Sequence, residues 1–178
     1  VNQFGGQRVT DNTPLRSGKG SLYEGGIRVP LIVRWPGVTP KAAVCDEPVV
    51  CMDFFRTLTE AGGVPPDSYG DFGCDGLSLL PVLKDPRTKL DRDALFFHYP
   101  HYYPTTTPVS AVRQGDWKLL EYFEDGRVEL FNLGTDLSES ENMAEREPEK
   151  AQELRRRLVA WRDAVGAQLP EPNPAAGR

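Results

Sequence analysis

Residues 14–37 read PLRSGKGSLYEGGIRVPLIVRWPG and join a glycine-flanked lysine to a short apolar run. Glycines at 18, 20, 25 and 26 allow close backbone approach or positive φ. Among them Arg16, Lys19 and Arg28 supply cationic donors, so the segment suits an anion. Residues 30–36 follow as Pro-Leu-Ile-Val-Arg-Trp-Pro. An apolar run this short, bounded by prolines, predicts a buried strand over residues 31–35. The pattern therefore reads as a ligand-facing loop anchored on a core.

Outward from this stretch the chain alternates helix and strand signals. Met52, Phe55, Leu58 and Thr59 recur at helical spacing, and Gly62-Gly63 followed by Pro65-Pro66 stops that helix. Residues 78–83 predict one short helical turn, with Pro81 acceptable only near its beginning. Extended segments are predicted at 94–99, 109–113, 117–123 and 128–133, with Gly115-Asp116 and Asp125-Gly126 as hairpin turns. Pro148 suits the first turn of a helix running to about residue 164, with Leu154, Leu158, Trp161 and Val165 on the face that covers the sheet. The prolines at 170, 172 and 174 mark a loose tail.

Composition sets limits. A chain of 178 residues, 39% hydrophobic and 26% charged, is large enough to bury a core. The net charge of −5 argues against nucleic-acid binding, which needs a basic surface to displace phosphate counterions. No run approaches the roughly 18 apolar residues that read as a membrane span. The odd number of cysteines, Cys45, Cys51 and Cys74, matches no disulfide framework and no zinc spacing. Free buried thiols, a Cys45–Cys51 bridge or a Cys51–Cys74 bridge all remain open.

Several residues invite functional readings. Gly18-Lys19-Gly20-Ser21 is not a P-loop, because Gly20 separates the lysine from the hydroxyl residue and Thr13 stands where the first glycine belongs. His98 and His101, the only histidines, flank Tyr99-Pro100 and precede Tyr102-Tyr103. Rings that stack and nitrogens that bond hydroxyls suit a sugar or aryl substrate, so both histidines are candidate substrate contacts. Arg16, Glu24 and Arg28 are read as braces of the lysine loop. Arg113 and Trp117 are assigned to sheet support, and Asp136, Glu139 and Glu141 to a solvated acidic turn.

The Pro-Leu-Arg, Gly-Lys-Gly, Tyr-Glu-Gly-Gly and Arg-Val-Pro elements resemble the type I sulfatases, the arylsulfatase branch of the alkaline-phosphatase-like enzymes. The resemblance continues through residues 49–63, the Asp-Gly-x-Ser-Leu-x-Pro-x-Leu segment at 75–83, Ala-Val-Arg-Gln-Gly-Asp-Trp-Lys-Leu-Leu at 111–120, and Glu-Leu-Phe-Asn-Leu from 129. It covers most of residues 12–161. It implies an α/β fold, α+β in its C-terminal part: the end of a large mixed sheet, then a small antiparallel sheet packed by a C-terminal helix. The implied divisions are 1–63 in the large domain, 64–93 connecting, 94–166 as the antiparallel subdomain and 167–178 as a tail.

The resemblance also implies chemistry. Lys19 matches the lysine that contacts the sulfate ester. The family attacks sulfur with formylglycine, made from the first residue of Cys/Ser-x-Pro-x-Arg, and holds calcium with acidic residues. No cysteine here has that proline and arginine. Asp11-Asn12 invites comparison with the family's Asp-Asn metal pair, but Thr13-Pro14 follows it in place of glycine. The expectation is a C-terminal fragment of a sulfatase, with calcium and formylglycine supplied by the N-terminal half of the same enzyme and no cofactor bound here. Alone the fragment is expected to be inactive and prone to self-association. Its substrate would be a sulfated carbohydrate or an aryl sulfate. The rival readings are a sulfated-glycan binding module without catalysis and a phosphate or phosphonate ester hydrolase of the same superfamily. The resemblance tilts the parent enzyme towards the periplasm or the outside of the cell.

Overall fold

The computed structural model describes residues 3–4, 7–8, 10–65, 68, 74–171 and 173. In chain order the elements are β1 (Gln3–Phe4), β2 (Gln7–Arg8), α1 (Glu24–Ile27), α2 (Asp53–Ala61), α3 (Leu80–Lys84), β3 (Leu95–Tyr99), β4 (Val109–Gln114), β5 (Trp117–Tyr122), β6 (Val128–Asn132) and α4 (Pro148–Ala164). They divide into two compact units, Val1–Val29 with Asp93–Arg178, and Pro30–Arg92. The contacts within the chain thus separate near residue 29 and again near residue 93.

In the first unit β3 to β6 form one antiparallel sheet in sequential order. Gln114 pairs with Trp117 across a two-residue loop, and Gly115 there takes φ +58°, which only glycine adopts without strain. Strand alternation sends two sets of side chains to opposite faces. Ala111, Leu120, Tyr122 and Phe131 point to one face, where Leu22 and Tyr23 join them. Val112, Leu119 and Leu130 point to the other, where Leu154 and Leu158 of α4 close over them. Each aliphatic side chain so buried contributes about 1.5–3 kcal/mol.

Helix α4 begins with Pro148 in its first turn, where a missing N–H costs nothing. Trp161 stacks on Phe96 with ring centroids 5.0 Å apart, and Arg162 and Arg155 each reach Glu121 at 2.7 Å. Val165, expected on the buried face, is exposed because the helix ends at Ala164 and Val165 is already its cap.

In the second unit, α2 occupies the expected helix and α3 the expected short turn, with Pro81 at its start. Asp53 is completely buried and ties the unit together. Its carboxylate accepts from the amides of Val50 and Leu77, each at 2.9 Å, and from the Arg92 guanidinium. Gly76 is needed beside it, since a Cβ there would lie 2.1 Å from the Met52 carbonyl. One expectation fails in this unit. Residues 31–35 form no strand, and Ile32 is 92% exposed. A strand exists only through its ladder, and no described residue of this unit pairs with the run. The apolar positions of α2 also point outward: Phe55 and Leu58 are exposed while Asp53 and Thr57 are buried.

Cys45 and Cys51 are exposed and Cys74 is half-buried, all as free thiols. No helix among the described residues is long and apolar enough to cross a membrane.

Candidate functional site

The lysine loop lies on the sheet face opposite α4, because Leu22 and Tyr23 carry it there. These two residues are buried against Ala111, Leu120 and Phe131, while Lys19, three positions earlier, is exposed. The loop closes on itself through the Ser21 amide and hydroxyl, which both donate to the Gly18 carbonyl at 3.1 and 3.0 Å. The Gly25 amide donates to the Arg16 carbonyl at 2.9 Å, and Asn12 Nδ2 donates to the Gly25 carbonyl at 2.9 Å. Close approach explains the glycine pair: a Cβ on Gly25 would sit 2.3 Å from the Arg16 carbonyl oxygen, and one on Gly26 2.1 Å from that of Ser21.

Tyr23 fixes the far end of the loop. Its hydroxyl donates to Glu129 Oε2 at 2.6 Å and accepts from Tyr122 at 2.9 Å, while the Arg16 guanidinium lies 3.9 Å over its ring. Burial, with the bond to Glu129, holds the Tyr23 hydroxyl far above the ordinary phenol range, so it stays a neutral donor.

Beneath the loop is a cluster of buried charge. Lys118 Nζ, on β5, lies 2.9 Å from Glu24 Oε1 and 2.9 Å from Glu139 Oε1, and all three side chains are almost fully enclosed. Glu139 Oε2 accepts the Glu24 amide at 2.6 Å, and the Glu139 carbonyl accepts Arg16 Nη1 at 2.8 Å. Arg28 and Arg113 approach Glu24 Oε2 at 3.7 and 3.8 Å. Arg16, Glu24 and Arg28 thus brace the loop as expected. Burial raises the Glu139 carboxyl above its usual value, while Lys118 and the Glu24 amide pull it back down.

Glu139 corrects the expectation of a solvated acidic turn. It is enclosed because Asp136 folds the turn around it: the Asp136 carboxylate accepts the amides of Ser140 and Glu141 at 2.8 and 2.9 Å and the hydroxyls of Ser138 and Ser140 at 2.9 Å. Burial alone would raise the Asp136 carboxyl, but these bonds prevail and hold it below its ordinary value. Lys118 was overlooked among the sequence candidates. It shares its side of β5 with Leu120 and Tyr122, and a lysine at an inward strand position requires carboxylate partners.

The loop after β3 reaches the lysine. Thr105 Oγ1 donates to the Lys19 carbonyl at 2.9 Å, and the Tyr103 ring lies where a Cβ on Gly20 would stand. Gly20 has φ +87°, so both its conformation and its contact require glycine. His101, Tyr102 and Tyr103 are exposed, and the His101 ring sits edge-on to Tyr99 with centroids 5.4 Å apart. His98 stands differently. Its Nδ1 bonds Ser110 Oγ at 2.6 Å and its Nε2 bonds the Gln168 carbonyl at 2.7 Å, so both nitrogens are engaged within the protein.

Asp11 accepts the Thr13 amide and hydroxyl at 3.0 and 2.5 Å, forming a local turn. Among the described residues no three His, Cys, Asp or Glu side chains are grouped to hold a metal ion. The described residues thus do not fit the calcium that the sulfatase resemblance implies.

What unites these features is a small antiparallel sheet backed by a helix, with a glycine-framed lysine latched to its other face. This is a C-terminal portion of a sulfatase. The chain belongs to the family described as N-sulphoglucosamine sulphohydrolase, C-terminal, whose model matches residues 18–164. A sulfatase of Formosa agariphila is 37% identical over 165 residues, covering 85% of this chain and 30% of the relative. Human arylsulfatase A is 38% identical over 113 residues, covering 63% of this chain and 21% of the relative. The crystal structure of Ps i-CgsB in complex with k-i-k-neocarrahexaose aligns with a TM-score of 0.66 at 26% identity, covering 85% of this chain and 32% of that one. The chain therefore spans about a third or less of the length of these relatives.

Proposed function

We propose that this chain is the part of a sulfate ester hydrolase that presents Lys19 to the sulfate group and His101 with its neighbouring tyrosines to the alcohol portion, a sulfated carbohydrate or an aryl group. The observation that carries this reading is the pairing of an exposed lysine with a braced backbone. The Lys19 carbonyl is held by Thr105, and the flanking Gly18 and Gly20 are packed in place, yet the lysine side chain is left to solvent. A loop fixed in this way has already lost its backbone entropy, so that only the lysine rotamers remain to be ordered when an anion arrives.

The chemistry asked of Lys19 is electrostatic. Negative charge moves towards the leaving oxygen as the ester bond breaks, and an ammonium group nearby stabilises it. One charge pair at 4 Å is worth about 1 kcal/mol in bulk water and about 4 kcal/mol at an effective dielectric of 20. No Cys/Ser-x-Pro-x-Arg motif stands in this sequence, and among the described residues no acidic cluster is grouped to hold a metal ion. The chain's contribution is to bind, orient and neutralise. With both nitrogens engaged, His98 holds the start of the aromatic loop, and His101 meets the substrate.

The test is the Lys19→Ala variant of the enzyme that contains this chain, measured with 4-nitrophenyl sulfate. The expected loss is about tenfold to a thousandfold in kcat/KM. Turnover near that of the unaltered enzyme would overturn the reading. Tight binding of sulfated glycan by an unaltered enzyme that releases no sulfate would favour the binding module instead.

A further inference from the structure

We infer that Glu139 and Lys118 are positioning residues for Lys19, forming with Glu24 a buried ionic latch that sets where the lysine loop stands on the sheet. This inference rests on the reading of Lys19 as a sulfate contact.

Two observations single out the cluster. The first is its cost. Lys118 and Glu139 are 0% exposed and Glu24 is 2% exposed. Removing three charges from water is expensive, and well-packed apolar side chains of similar volume hold a core together as well or better. A latch of this kind is useful where one arrangement must be chosen over its near neighbours, since charges and hydrogen bonds fix direction and oily contacts do not.

The second is where its bonds go. Lys19 lies between Arg16 and Glu24, and Glu139 holds both. Its carbonyl takes Arg16 Nη1 at 2.8 Å and its carboxylate takes the Glu24 amide at 2.6 Å. Lys118 then fixes the two carboxylates from the floor of β5, at 2.9 Å from each. Glu139 itself has φ +52°, a conformation unfavourable for a glutamate. The Asp136 turn and these bonds hold it there, so the strained residue is also the one through which both ends of the loop are set.

A displaced lysine weakens transition-state stabilisation even if the fold survives, because misplacement by about 1 Å can cost about a hundredfold in rate. The test is a double-mutant cycle in the enzyme that contains this chain, with 4-nitrophenyl sulfate as substrate. Glu139→Gln keeps the side-chain shape and removes the charge. It is expected to lower kcat and kcat/KM together, about tenfold to a hundredfold, and to cost almost nothing further when Lys19 is already alanine. Equal losses from Glu139→Gln in both backgrounds would overturn the positioning role and leave Lys19 as a sulfate contact. Full activity of Glu139→Gln would overturn it as well. Undiminished turnover by Lys19→Ala alone would overturn the sulfate-contact reading, and this inference with it. If Glu139→Gln does not fold, Glu139→Asp takes its place in the same cycle, since it keeps a carboxylate charge beside Lys118 and only draws it back by one methylene from the 2.9 Å contact. The same outcomes then decide the proposal.

Discussion

Replacing Lys118 with methionine leaves the protein with two buried carboxylates and no cation between them. Lys118 Nζ lies 2.9 Å from both Glu24 and Glu139, and none of the three side chains has appreciable contact with water. Removing one partner of a buried pair costs about 3–5 kcal/mol, because Glu139 is then neither solvated nor paired, while Glu24 keeps Arg28 and Arg113 at 3.7 and 3.8 Å. The protein can lower this cost by taking up a proton. Glu139 is the group to do so, since burial already raises it and Lys118 is what holds it down. In the variant the folded state then binds one more proton than the unfolded state at every pH between the unfolded value, 4.5 for this carboxyl, and the raised folded value. Stability therefore falls as pH rises across that window, by about 1.4 kcal/mol per pH unit. Urea unfolding of the chain with and without Lys118→Met, at pH 5.5 and pH 7.0, measures both quantities. The expected difference is about 3–5 kcal/mol at pH 7.0 and smaller at pH 5.5. A difference below about 1 kcal/mol at both pH values would show that water reaches the cluster, and would refute the reasoning.

Two further perturbations test the same architecture. Gly26→Ala places a methyl group 2.1 Å from the Ser21 carbonyl, so the loop must shift; urea unfolding should show a loss of about 1–3 kcal/mol or more. Asp136→Asn removes the charge that folds the turn around Glu139. The Asp136 carboxyl lies below its usual 3.8 when folded, so its contribution is complete above that value and lost as pH falls through the lower folded value. The variant should be less stable than the parent at pH 6, and the two should converge as pH falls through and below 3.8, by acid titration followed with circular dichroism.

The antiparallel sheet was legible in the sequence because its strands alternate and its turns carry Gly115-Asp116 and Asp125-Gly126, signals that are local to each hairpin. The last helix was legible for the same reason: Pro148 marks its start, and Leu154 and Leu158 recur at its period. Residues 31–35 show where local reading stops. Their composition predicts a strand, but a strand needs a partner, and pairing is a property of the surrounding fold. Helix α2 makes a similar point, since its apolar side is exposed in this chain while Asp53 is buried by bonds to residues 50, 77 and 92. In the candidate site, the glycine-framed Lys19 was visible as a motif and the braces Arg16 and Glu24 as its neighbours. Glu139 was not, because it lies 115 positions from the Glu24 amide it accepts and reads locally as one acid among several. Lys118 could have been found by following the alternation of β5, which turns it inward beside Leu120.

The central claim, that Lys19 meets the sulfate, is tested most directly by a crystal structure of the enzyme containing this chain with a bound sulfate ester. Lys19 Nζ is expected within about 3 Å of a sulfate oxygen, with the Thr105 bond to the Lys19 carbonyl intact. A sulfate group held by other residues, with the Lys19 ammonium directed into solvent, would contradict it.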